Sequence, residues 1–497
     1  MNKFLITCLI LTVSSLASAS DKIERLRNQI ISDSKTMGLK KALRSKTNHH
    51  NLAKFRLYQL SSCEQFTKFE ASPAGVEFLG KFLENYEWLE KTLCQGAPIV
   101  RGRRNRNKTR NERYSEAIIR LAIICRKYPI VWRNKKLQKI ASAVAFSAPF
   151  NTEDRTASVR SFGYFYDSIK RKQLIPEFFQ YEPWMMRSVV WYGDTSSWLQ
   201  KKYSVPPQAL HNMAWNVSYR LWNIFDDSIH RSSYHEPWGE LFGSFQVSTD
   251  IGGVCGAISK VGTLTANSHG APCITMGQPG HCAYAYYNFE NKTWYRGNDV
   301  SRPSTPHHSI LDHSFHGFSV LQMTMDTFSP YKDYVKAAHA NWLAHAFSTS
   351  SSSTAEKLFA LSCKFKAHAY DFRHDYLQFL VKKEEIKNSQ IFEEFKKTIT
   401  DFIAYPDQAW QLVMNAQPLI DKLPPKAKEK IVGFFHENAG KQKFDQHVMY
   451  TNLLKHQIKL LEDGRYKIKN FVSTHYPSGK TPANWDLEEI LNPKEKK

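Results

Sequence analysis

The segment Asp250 to Asp299 reads DIGGVCGAISKVGTLTANSHGAPCITMGQPGHCAYAYYNFENKTWYRGND. Gly252 and Gly253 lead into a pattern in which Val254, Ile258, Val261 and Leu264 or Thr265 form one stripe, the spacing of a helix with one buried face. Cys255 stands at the first turn of that helix, and His269-Gly270 is a natural stop, because Gly suits the C-terminal cap. Short β-prone runs follow at Pro272–Met276, His281–Phe289, Thr293–Val300 and Phe315–Met325. Turn signals divide them at Gly277-Gln278-Pro279-Gly280 and from Asn288 to Lys292. A helix followed by a small sheet is therefore expected here, and it is the one region of the chain that reads as sheet.

The chemistry-bearing residues of the segment fall into an order. A helix start carries partial positive charge and free N–H groups, which suit a thiolate at Cys255 and an oxyanion beside it. A nucleophilic Cys needs a base, and the base needs an orienting group. His281 opens the second strand and is the candidate base, with Asn298 and Asp299 as candidate orienters. Setting Asn298 across from His281 requires Tyr286 to pair with Thr293, and setting Asp299 there requires a loop shorter by one. Gln246 is a candidate oxyanion donor and Gln278 a candidate cleft residue, although each is also an ordinary turn residue. His235, Trp238 and Trp294 are candidates for an aromatic wall, a role that competes with plain core packing. A zinc site from Cys255, Cys273, His281 and Cys282 is disfavoured, because neighbours on a strand point to opposite faces. A four-residue turn puts Cys273 and Cys282 diagonally on one face, as buried thiols in preference to a disulfide.

These residues resemble the transglutaminase-like superfamily, whose members share a papain-like core. The matching features are Gly253-Val254-Cys255-Gly256 at the helix start, Gly270-Ala271-Pro272 before the next strand, Gly280-His281, and Trp294 four residues ahead of Asn298. The resemblance implies an α+β fold, with a small papain-like/transglutaminase-like core, a short antiparallel sheet and mainly helical flanks. It implies a triad of Cys255, His281 and Asn298, with Asp299 as the alternative third residue. It covers about fifty of the 497 residues, and Cys282 departs from the small residue common after the family's His.

Outward from this segment the chain reads as helical. Glu112–Tyr128 and Leu137–Phe146 carry apolar residues at spacings of three and four, with breaks near Ser147–Arg155, Pro176 and Tyr192–Pro207. After Pro330 helices resume, with Thr354 as an N-cap. The expected division is a leader at 1–19, a helical region at 20–204, the core at 205–330 and a second helical region at 331–497. The run Arg101–Arg113 (RGRRNRNKTRNER) reads as an exposed basic loop.

The start, MNKFLITCLILTVSSLASAS, has the charge, short apolar run and small-residue exit of a secretory leader, and no later run is long enough to span a bilayer. An exported protein is expected, extracytoplasmic in the periplasm, at the cell surface or beyond. Its 68 Lys and Arg against 46 Asp and Glu favour anionic surfaces without specifying nucleic acid. Cys8 leaves with the leader, and the remaining seven cysteines are an odd number, so at least one stays unpaired within the chain. The expected activity is thioacyl chemistry on amide bonds of a protein or peptide-containing polymer, as a peptidase, amidase or acyltransferase, with no cofactor or metal. The alternative is a catalytically silent core serving as a binding or interaction module of the cell surface.

Overall fold

The computed structural model describes residues 19–99, 108–147, 155–190, 196–203, 207–219, 252–278, 281–297, 305–306, 310–311, 319–439, 456–457 and 460–461. The expected leader, Gln246, His235, Trp238, Asn298 and Asp299 lie outside the described residues, apart from Ala19 at the leader's end. The fold is α+β, mostly helical, with one small antiparallel sheet.

The sheet has the order β3-β2-β1-β4. β1 is Cys273–Gln278, β2 His281–Asn288, β3 Thr293–Gly297, and β4 only Thr305–Pro306. β1 and β2 pair from Cys273↔Tyr286 to Gln278↔His281, so the strands run two residues further into the first turn than a four-residue loop would allow. Cys282 therefore faces Gly277 and lies four positions along the ladder from Cys273. The two thiols are free and too far apart along the sheet for the diagonal pairing.

Two sequence expectations change. Phe315–Met325, read as β-prone, instead contributes to a helix at Ser319–Phe328. A short apolar run fits either period, and here Val320, Leu321 and Met323 bury themselves by covering the sheet and the main core. The helix Ser352–Phe365 starts two residues before Thr354, with Ser351 at its N-cap and the Ser351 hydroxyl 2.9 Å from that of Thr354. The helices at Arg110–Lys127 and Lys135–Ser147 enclose the two stretches that periodicity marked, to within a residue at one C-terminal end. The first of these also takes up the end of the basic run. Thr109 and Glu112 form a reciprocal capping box, which satisfies orphan N–H groups at the helix start.

A single apolar core runs from Ile30 to Leu460 and includes residues of both helical regions as well as Ile258, Val261 and Tyr284 beside the sheet. Buried polar pairs tie its distant parts together. Asp375, on the helix Tyr370–Val381, accepts from Arg56 at 3.2 Å, Arg110 at 3.3 Å and His345 at 3.1 Å. Burial raises an aspartate's pKa, but Arg110, His345 and Arg56 outweigh it and hold Asp375 well below its ordinary range. Its contribution to stability is therefore present at neutral pH, above the unfolded pKa, and is lost only as pH falls through the depressed folded value. Asp375→Ala leaves the buried guanidinium of Arg56 and the half-buried one of Arg110 without this carboxylate. Urea unfolding at pH 7 is expected to show a loss of about 3–5 kcal/mol. An unchanged midpoint would show the cluster to be dispensable.

Candidate functional site

The helix Cys255–Ser268 is held at both ends. At its C-terminus the side-chain amide of Asn267 donates to the carbonyls of Ser188 at 3.1 Å, Ala271 at 3.0 Å and Cys273 at 3.2 Å. Tyr164 donates to the Ser268 carbonyl at 2.6 Å, and Tyr181 to the Gly270 carbonyl at 3.0 Å. The helix closes at His269 with Gly270 at φ +89°, the left-handed cap that the sequence pointed to. Midway, Gly262 lets the turn Pro207–Asn216 approach closely, for a Cβ there would lie 2.7 Å from the His211 carbonyl oxygen. At the N-terminus the Gly253 N–H donates to the Ser218 carbonyl at 2.9 Å, and Gly252 takes φ +106°.

Cys255 is the first residue of this helix, and its N-cap, Val254, is extended and supplies no side-chain cap. Its thiol is half-buried and accepts the backbone N–H of Cys282 at 3.3 Å. One turn on, the Ser259 hydroxyl donates to the Cys282 carbonyl at 3.0 Å, so both backbone groups of Cys282 are engaged by the helix. Burial, and then the neighbouring Cys255, push the Cys282 thiol up from its ordinary range. Cys94, Cys125, Cys273 and Cys363 are buried and their thiols are raised by burial, Cys273 to about 12. Cys63, Cys255 and Cys282 are the described cysteines with partial exposure.

The pleat assigns each strand residue a face. Cys273 and Thr275 reach Thr263 of the helix, at 3.7 and 3.1 Å, and a Cβ on Gly256 would stand 4.0 Å from the Cys282 side chain. Cys282, Tyr284 and Tyr286 thus face the helix. Ile274, Met276, Ala283 and Ala285 make the opposite face, packed with Trp294 and Leu321. Alternation puts the His281 side chain on that second face, with Ala283, while its backbone adjoins the residue that bonds the Cys255 thiol.

The β2–β3 register is Tyr286↔Tyr295, from Asn288↔Thr293 to Tyr284↔Gly297. This is neither the Tyr286–Thr293 pairing that sets Asn298 across from His281 nor the loop shorter by one that would set Asp299 there. Gln278 pairs with His281 at the end of β1, beside the site. Trp294 is buried in the second face, as core and not as an exposed wall.

Sequence reasoning missed Asn267, Tyr164 and Tyr181, which bond carbonyls 79 to 104 residues away, Asn267 in addition to the nearby Ala271 and Cys273. It also missed His211, which stacks on Tyr286 at 3.5 Å and which burial lowers to about 4. Cys282 was read as a disfavoured zinc ligand, as a buried thiol diagonal to Cys273 and as a departure from the family pattern, yet its backbone N–H is the donor to the nucleophile candidate.

No family profile, curated protein or solved structure matches the chain.

Replacing Asn267 by Ala strips three buried carbonyls of their donor. A loss of about 2–3 kcal/mol in unfolding free energy is expected, together with faster alkylation of Cys273, the thiol next to the freed carbonyl. Unchanged stability and unchanged Cys273 protection would contradict this role.

Proposed function

We propose that this chain is an exported thiol enzyme of the transglutaminase-like kind, acting on amide bonds through a thioacyl intermediate. The observation that carries the reading is the Cys255 thiol at a helix start with the Cys282 N–H directed at its sulfur. An N–H that donates to the sulfur is also placed to donate to the oxygen of a carbonyl under attack, together with the N–H groups of the helix start.

In the proposed cycle the Cys255 sulfur adds to an amide carbonyl carbon, and His281 takes the thiol proton. The tetrahedral oxyanion then collapses, the C–N bond breaks, and the leaving amine takes the proton from His281. A thioester remains on Cys255. Water, deprotonated by His281, gives a carboxylic acid; an amine acceptor gives a new amide. Asn298, or Asp299 in its place, orients the imidazole, Gln246 adds an oxyanion donor and Gln278 lines the cleft.

The cycle requires the His281 ring to reach Cys255 around the start of β2, beyond Tyr284↔Gly297, the last β2–β3 pair among the described residues. The pleat direction of His281 favours a second reading, in which the core is catalytically silent and serves as an interaction module of the cell surface. Export rests on the leader sequence. None of the described helices is long and apolar enough to cross a membrane. The net charge of +22 supports work near anionic polymers, with peptide or protein as substrate.

A panel of peptide amides, with and without a primary-amine acceptor, separates the readings. The enzyme reading expects ammonia or amine release by the mature protein, release slowed at least about 100-fold in His281→Ala, and no release by Cys255→Ala. Turnover that survives Cys255→Ala would end the reading. A folded protein with no turnover on any amide or ester would favour the interaction module.

A further inference from the structure

Far from Cys255, three residues from separate helices converge. His49 lies on Lys46–Ser61, Glu90 on Tyr86–Leu93 and His339 on Tyr331–Phe347, and one ligand atom from each lies within 4.8 Å of the other two. Among the described residues this is the one group of three or more potential metal-binding side chains that meets so closely. His339 is buried and its Nε2 is 2.7 Å from Glu90 Oε1.

The hydrogen bonds around the group fix its chemistry. His49 Nε2 lies 3.0 Å from the Leu43 carbonyl, which can only accept, so Nε2 carries the proton and Nδ1 carries the lone pair in the neutral ring. Glu90 Oε1 accepts from the Tyr86 hydroxyl as well as lying against His339 Nε2. A neutral imidazole with its far N–H on a carbonyl, beside a carboxylate held by a Tyr hydroxyl, is the arrangement that orients first-row metal ligands.

We propose that His49 Nδ1, His339 Nε2 and Glu90 Oε1 form a binding site for a zinc-like divalent ion. Two imidazoles and a carboxylate suit zinc, with a water at the fourth position. The ion replaces the proton between His339 and Glu90, which passes to His339 Nδ1. The two rings are stacked at 3.7 Å. Two imidazoles on one tetrahedral zinc have centroids about 5 Å apart, from Zn–N distances of about 2.1 Å, so binding unstacks them. His49, the less buried ring, is the one with room to move. Glu90 and His339 are 249 residues apart, so the ion clamps the first helical region to the second.

The test uses the full mature chain after chelator treatment, titrated with Zn2+ by calorimetry and with Co2+ by visible absorption. Expected are one ion per chain, the absorption bands of tetrahedral Co2+, and a rise in Tm of about 2–4 °C at saturating Zn2+. His49→Gln and Glu90→Gln should abolish both signals while far-ultraviolet circular dichroism stays unchanged. Tyr86→Phe, which keeps all three ligands, should weaken binding by about 10-fold or more. No stoichiometric binding to the wild type overturns the proposal. Binding of equal strength in His49→Gln and Glu90→Gln would assign the ion to other surface groups and equally overturn it.

Discussion

The two N–H groups of one amide, on Asn267, are shared among three carbonyls, and the candidate site depends on where that leaves the helix above them. The carbonyls belong to Ser188 in the first helical region, Ala271 in the turn and Cys273 at the head of β1. By holding all three, Asn267 fixes the angle at which the helix Cys255–Ser268 hands the chain to the sheet. The helix length sets where its opposite end falls, since fourteen residues at about 1.5 Å each carry the first residue back across the sheet, and the Gly253 N–H bond to Ser218 holds it there. That first residue is Cys255, and it arrives at the start of β2, where the Cys282 N–H awaits an acceptor.

The helical mass around the sheet has a definite part in this. Tyr164 and Tyr181 come from the first region and secure carbonyls of the same helix end. That region is joined to the second through Asp375, which gathers Arg56, Arg110 and His345, and through Glu90 and His339. Arg187 adds a further buried tie, donating to the carbonyls of Gln95, Ala97 and Phe146 at 2.7–3.0 Å. The candidate site is therefore a small surface resting on long-range polar bonds, each costly to break in a low-dielectric interior.

Legibility in the sequence followed the range of the interactions. The helix at Cys255, its glycine cap and the alternation of β1, β2 and β3 are local patterns, and they stand where periodicity put them. The registers were not legible, because a strand run two residues into a turn looks the same in sequence as one that stops early. That shift of two residues keeps each side chain on its face, with Cys282 toward the helix and His281 on the other side, but it moves Cys282 along the sheet to face Gly277, four positions from Cys273. Phe315–Met325 was misread because its helical character is enforced by contact with the sheet through Leu321, not by local preference. The two tyrosines and the Ser188 bond of Asn267 carry no local signal, since their partners are 79 to 104 residues away.

The central claim is that the Cys255 sulfur is set apart from the chain's other thiols by its seat at the helix start beside the Cys282 N–H. Site-resolved alkylation of the folded protein with iodoacetamide at neutral pH, followed by peptide mass spectrometry, measures this directly. The account predicts that Cys255 reacts faster than Cys63 and Cys282, the other partly exposed thiols, and that His281→Ala slows it. Equal rates at Cys63, Cys255 and Cys282, unaffected by His281→Ala, would contradict it.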